Sequence, residues 1–137
     1  MKIKILLLCF FYFTLITISC KKEPGPAIVG EWMNIAVYSD PAKGGYGWET
    51  VVHFHEYITF NPDAQFHVFI DVPGGGGRYT YNGSSKELLL QFEADRFGNA
   101  ARSEVRKVEI MTDSKLIIAV VHSTSGMTYK TEYTRIN

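Results

Sequence analysis

Glu56-Tyr57-Ile58-Thr59-Phe60-Asn61-Pro62-Asp63-Ala64-Gln65-Phe66-His67-Val68 sets two runs of aromatic and β-branched residues on either side of a turn. Side chains alternate between faces along a strand, so Ile58 and Phe60 share a face with Glu56 and, further back, with Phe54. Pro62 presets one turn dihedral, and Asn61 and Asp63 tolerate the others. An odd-length connection places Phe60 opposite Phe66 and Ile58 opposite Val68. That register joins two apolar faces, whereas a slip of one residue would turn one of them to water. The stretch reads as an antiparallel hairpin with one buried face.

The same pattern repeats outward in both directions. Residues 28–137 contain no helix-length stretch with an apolar period of 3.6 residues. They contain eight runs rich in β-branched and aromatic residues, at about 29–38, 50–60, 65–72, 78–82, 87–93, 103–111, 115–122 and 127–136. Asn82-Gly83-Ser84-Ser85, Thr112-Asp113-Ser114 and Ser123-Thr124-Ser125-Gly126 supply further turns. Pro73-Gly74-Gly75-Gly76-Gly77 reads as a flexible loop between the third and fourth runs. Short connectors make sequential strands antiparallel neighbours. The expected fold class is all-β: an eight-stranded antiparallel up-and-down meander barrel, whose closure leaves no exposed edge. Such a barrel holds packed side chains or one small ligand.

The last run orders its faces by polarity. Thr128, Lys130, Glu132 and Thr134 share a wholly polar face, which sends Met127, Tyr129, Thr131, Tyr133 and Arg135 inward. Two charges, Glu56 and Arg135, thus fall on inward faces and need partners. They can pair with each other, or Arg135 can lie on an aromatic ring. Trp32 stands in the first strand, which neighbours the last in a closed barrel, so Trp32 and Arg135 can meet. Gly30-Glu31-Trp32 at the start of the first strand, with Arg135 near the end, resembles the Gly-x-Trp motif and closing arginine of the lipocalins. The chain is also similar to the lipocalin-like domains of bacterial lipoproteins, which share that start and a Phe-Asn-Pro-Asp-type turn. It is shorter than most lipocalins and lacks their usual disulfide and C-terminal helix. The resemblance implies that Gly30, Trp32 and Arg135 close one end. It also implies that the long loop Ser39–Glu49, with Tyr46 and Trp48, forms a lid over the other end.

The N-terminus reads as an address. Lys2 and Lys4 precede an almost wholly apolar segment, Ile5 to Ile18. As a helix that segment would rise about 21 Å, short of the roughly 30 Å hydrocarbon core, which is signal-peptide length. Thr17-Ile18-Ser19-Cys20 resembles the lipobox of bacterial lipoproteins, with Thr17 where that family usually has Leu. The resemblance implies cleavage before Cys20 and acylation of its thiol and new amine, enough acyl chains for stable anchoring. The expected organisation is a signal peptide over 1–19, an acylated Cys20 and tether over 20–27, and a barrel over 28–137. The implied location is the bacterial cell envelope, on the outer membrane.

Charge and residue types narrow the function. The chain carries 14 Lys+Arg against 14 Asp+Glu, without the basic excess of a nucleic-acid binder. Removing residues 1–19 takes Lys2 and Lys4 with it, so acidic groups then slightly outnumber basic ones. Cys9 would leave with the signal peptide and Cys20 would be acylated, so no disulfide or thiol chemistry is expected. The serines sit in turns, with no strand-to-helix elbow to activate one, so no enzyme activity and no cofactor are expected. His55 and His67 share the outer face of the quoted hairpin and form the competing metal-binding reading. The glycine run lacks the Lys-Ser/Thr and helix of a phosphate cradle.

What remains is an aromatic set: Trp32, Tyr38, Phe54, Phe60, Phe66, Tyr79, Tyr81, Phe92, Tyr129 and Tyr133. Tyrosine joins an apolar ring to a hydrogen-bonding tip, which suits a pocket for an amphipathic molecule. Phe54, Ile58, Tyr79, Tyr81, Tyr129 and Tyr133 are the candidate lining. The expected partners are a small hydrophobic or amphipathic ligand and, through the anchor, a membrane, with the protein a monomer. The competing reading is a packed barrel that contacts another envelope protein.

Overall fold

The computed structural model describes residues 27–53, 55–70 and 72–137. The signal segment, Cys20, most of the tether and Phe54 lie outside the described residues. The described strands, in chain order, are β1 (Gly30–Ser39), β2 (Gly47–Thr50), β3 (Glu56–Phe60), β4 (Gln65–Ile70), β5 (Val72–Asn82), β6 (Glu87–Phe92), β7 (Arg102–Met111), β8 (Lys115–Val121) and β9 (Thr128–Arg135). From β3 to β9 each strand pairs antiparallel with the next. β9 then pairs with β1, and β1 with β3. The strands β1 and β3–β9 therefore close an all-β, eight-stranded antiparallel barrel with meander topology. Among the described residues, the barrel and its core cluster are drawn from residues 27–137.

The quoted hairpin keeps its expected register, with Phe60 opposite Phe66 and Ile58 opposite Val68. The strand expected over about 50–60 is interrupted. β2 and β3 pair with the same β1, but β1 takes three steps from Ala36 to Met33 while the facing chain takes seven from Thr50 to Tyr57. The facing chain is therefore four residues longer than β1 between these two pairings. Asn34, a buried polar residue, seals the gap: its side-chain oxygen accepts the Glu56 N–H at 2.8 Å. Its carbonyl lies 3.0 Å from His55 Nδ1, and the Ile35 carbonyl accepts the Val51 N–H at 2.9 Å.

A bulge at Ile35 changes which residues of β1 face inward. Asn34 pairs with Tyr133 and Ala36 with Glu132, so Ile35 is an extra residue on its strand. Before it Trp32 and Asn34 point inward; after it Val37 and Ser39 do. Tyr38, expected inside, is turned out beside Lys130. Its ring centroid lies 5.4 Å from that of Trp48, with the Lys130 ammonium 5.5 Å from it.

The glycine run is strand, not loop. Gly74–Gly77 belong to β5, and a Cβ on Gly77 would run into the backbone carbonyl oxygen of Gln91. A Cβ on Gly76 would stand 2.7 Å from the Phe66 carbonyl oxygen. Glycine is used here because the β4, β5 and β6 backbones approach too closely for any side chain.

The core fills one half of the barrel. Ile58, Phe60, Phe66, Leu88, Leu90, Leu116 and Trp32 are sealed from water. Phe60 and Tyr79 meet edge to face at 4.9 Å, as do Phe66 and Phe92. Edge-on rings add a favourable quadrupole term to their burial.

Candidate functional site

Antiparallel pairing gathers the connectors at two ends. The turns after β3, β5 and β7, with the chain entering β1, lie at one end. The loops after β1, β4, β6 and β8 lie at the other.

Gly30, Trp32 and Arg135 stand at the first end. Trp32 is wholly buried, and its indole Nε1 donates to the Ile28 carbonyl at 2.9 Å. The Arg135 guanidinium carbon stands 4.2 Å from the Trp32 ring centroid. Its nitrogens donate to the carbonyls of Val29 and Ala27, each at 2.8 Å, and of Asp113 at 2.5 Å. Gly30 adopts φ +144°, and a Cβ there would collide with the guanidinium. Of the two partners open to Arg135, the structure takes the aromatic ring. Glu56 accepts from the Tyr133 hydroxyl instead.

Three of the candidate lining residues belong to the packed half. Ile58 is sealed in the core, and Tyr81 packs against the core cluster. Tyr79 donates its hydroxyl to the Asn61 carbonyl at 2.9 Å, so that tip holds the β3–β4 turn. Burial, then the nearby Asp63 carboxylate, raises its pKa. Strand parity gives the facing of these residues but says nothing of height along the barrel axis.

Toward the other end the interior opens. Inward positions toward that end include Val37, Ile70, Val120 and Tyr129, which are 38%, 40%, 37% and 42% exposed, whereas Phe92, beneath Arg102, is 6% exposed. Inward-facing side chains that meet water mark an opening, since the floor residues below them meet almost none. Tyr133 stands between the two regions, 1% exposed, with its hydroxyl donating to Glu56 Oε1 at 2.5 Å. Burial, then Glu56, pushes the Tyr133 pKa well above the usual tyrosine value, while Arg106 pulls weakly the other way.

The opposite wall carries charges that the sequence reading passed over. Register places Arg102 against Phe92, Glu104 against Leu90 and Arg106 against Leu88, so all three share the inward face of β7. Glu104 accepts from Arg102 Nε at 2.9 Å with one carboxylate oxygen. With the other it accepts from Arg106 Nε at 3.1 Å and Nη2 at 2.6 Å. Burial alone would raise the Glu104 pKa, but the Arg106 and Arg102 guanidiniums outweigh it and hold the carboxyl below its usual range. Arg102 stacks 4.0 Å from the Phe92 ring centroid. The signal was the alternation in Arg102-Ser103-Glu104-Val105-Arg106-Lys107-Val108, where either face mixes polar and apolar residues. Val105, which points outward, is largely exposed, contrary to the usual pattern.

The remaining expected residues lie elsewhere. Trp48 is in β2 opposite Tyr38, on the outer face and 47% exposed, so it does not cover the opening. The expected lid is drawn into a hairpin instead: Asp40 caps a turn of 3-10 helix at Pro41–Lys43, and Tyr46, largely exposed, follows it. His55 is bound to the Asn34 carbonyl beside the strand interruption. His67 lies in an outer groove of about 360 Å³ with Gln65, Arg78, Glu93 and Asp95. The two histidines are not brought together, because His67 pairs with Thr59, four residues or roughly 13 Å along the strand from His55. Among the described residues no group of three or more His, Cys, Asp or Glu side chains is placed to hold a metal ion.

A closed eight-stranded meander with one packed end and one open end defines a lipocalin-like barrel. Among solved structures the chain is similar to a lipocalin-like protein from Bacteroides uniformis, with 18% identity and a TM-score of 0.55. The match covers 80% of this chain and 98% of that one, and at such identity it bears on the fold alone. No protein-family model and no curated protein matches the chain.

Proposed function

We propose that the protein is a membrane-anchored envelope lipoprotein whose open half-barrel binds a small amphipathic ligand. The observation that carries the binding is the exposure of the inward-facing Val37, Ile70, Val120 and Tyr129 above a sealed floor. Burying these surfaces under a ligand is favourable at about 25 cal/mol per Å² of apolar area. The charged groups below the rim orient the polar part of the ligand. Ile58, Tyr79 and Tyr81 act as floor and scaffold.

The anchoring half of the proposal rests on Lys2, Lys4, the apolar Ile5–Ile18 segment and the lipobox-like Thr17-Ile18-Ser19-Cys20. Arg135 ties down Ala27 and Val29 at the closed end. A chain anchored at Cys20 therefore enters the barrel at that end, and the opening faces away from the bilayer. The ligand then arrives from the aqueous side rather than by lateral transfer from the anchoring membrane.

Native mass spectrometry tests the binding half. The chain from Lys21 onward, purified from cells without a metal-affinity tag, should carry an added mass that is lost on denaturation. A clean match to the bare polypeptide would shift the weight to the packed-barrel reading. That reading has an observation of its own: Val105, Ile110 and Val121 lie exposed on the outer face of β7 and β8.

A further inference from the structure

We infer that the ligand of the open half carries an anionic head group, carboxylate or phosphate, received by Arg102 and Arg106 on the inward face of β7. The inference rests on the binding reading above and deepens it.

The argument is a balance of hydrogen-bond donors and acceptors. A guanidinium has five N–H donors and no acceptor. Toward described residues Arg102 uses one of its donors and Arg106 two, all on Glu104. Both oxygens of Glu104 are thereby taken. Glu56, on the strand across the barrel, is engaged by the Tyr133 hydroxyl. The surplus of the β7 wall is therefore in N–H donors rather than in net charge, since its two guanidiniums share the interior with two carboxylates, Glu104 and Glu56. The remaining N–H groups belong to side chains that keep part of their surface in water. The side chains of Arg102 and Arg106 are 50% and 23% exposed. An incoming group must supply acceptors, and an anionic oxygen group forms shorter and stronger bonds to a guanidinium than a neutral one does. The site is also preorganised. Glu104 holds both guanidiniums, and Phe92 supports the face of Arg102 while packing edge-on against Phe66. The apolar part of the ligand then lies along Ile70, Val120 and Tyr129. Because the floor is sealed, that part must be short.

Four probes of equal chain length test this on the barrel from Lys21 onward: octanoate, octyl phosphate, octanol and octylammonium, titrated by calorimetry at neutral pH. Octanoate or octyl phosphate, or both, should bind at least about tenfold tighter than octanol and octylammonium. The stronger of the two names carboxylate or phosphate as the head group. Arg102→Gln, at a half-exposed position that leaves the floor intact, should lower anion affinity about tenfold and leave octanol unchanged. Octanol or octylammonium binding as tightly as the anions would overturn the inference while the binding reading stands. So would an unchanged anion affinity in Arg102→Gln. If none of the four binds to folded protein, the binding reading falls and this inference with it.

Discussion

Trp32 is held by three kinds of interaction at once. Its ring is sealed in the core, its indole N–H is spent on the Ile28 carbonyl, and Arg135 covers its face. Trp32→Ala should therefore cost about 3–5 kcal/mol, read from urea denaturation midpoints. An unchanged midpoint would remove Trp32 from the closed end. Tyr133 makes a pH-dependent prediction. Its hydroxyl stays neutral in the folded barrel because it is buried and faces Glu56, whereas in the unfolded chain it ionises near pH 10. Its stabilising contribution is thus complete below about pH 10 and is lost as pH rises further. Wild type should lose up to about 1.4 kcal/mol more per pH unit in that range than Tyr133→Phe. Parallel losses in the two proteins would show that the hydroxyl is not buried as described. At this scale the meeting of Trp32 and Arg135 was legible, because both ends of a closed meander must touch. The hydroxyl partners were not legible, since Tyr79 and Tyr133 look alike in sequence and differ only in what stands beside them.

At the scale of elements, the glycine run carries the sharpest expectation. Gly77→Ala brings a methyl group onto the Gln91 backbone carbonyl, and backbone cannot swing aside as a flexible side chain can. The substitution should lower stability by about 2–3 kcal/mol or more, measured by thermal or urea unfolding. Wild-type stability in that variant would mean that β5 and β6 are not paired as described. The β3–β4 hairpin shows how much an element reveals by itself: one turn and two apolar faces were enough to set its register. The run ending at Phe60 shows the opposite. β2 and β3 read as one strand because both are β-favouring, and the break depends on Asn34 reaching across from β1. The bulge at Ile35 was equally hidden, since an extra residue is defined only against its partner strand. It moved Tyr38 from the interior to the outer face.

For the whole molecule, the two ends of the barrel have separate tasks. The closed end receives the chain as it enters β1 and buries the rings. The open end presents water-exposed apolar positions above a charged wall. The mass expected to dissociate on denaturation should be that of a small molecule, since the floor leaves only the upper half free. An adduct the size of a long-chain diacyl lipid would not fit that half and would require the floor to open. The charged wall itself was only partly legible. Glu56 was placed inside by parity, while Arg102, Glu104 and Arg106 were missed because polarity did not separate the two faces of β7.

Alternation, turn residues and an apolar N-terminal segment by themselves determined the all-β class, the strand order, the register of the first hairpin and the expectation of an anchored barrel. These follow from the sequence because they depend on neighbours along the chain or on the next strand. Where the interior is packed and where it is open, which tyrosines are spent on structure, and how the inward charges pair were decided only by the tertiary structure. Strand parity fixes a direction for each side chain, but volume and electrostatic partnership depend on strands that lie far apart in the chain and face each other across the barrel.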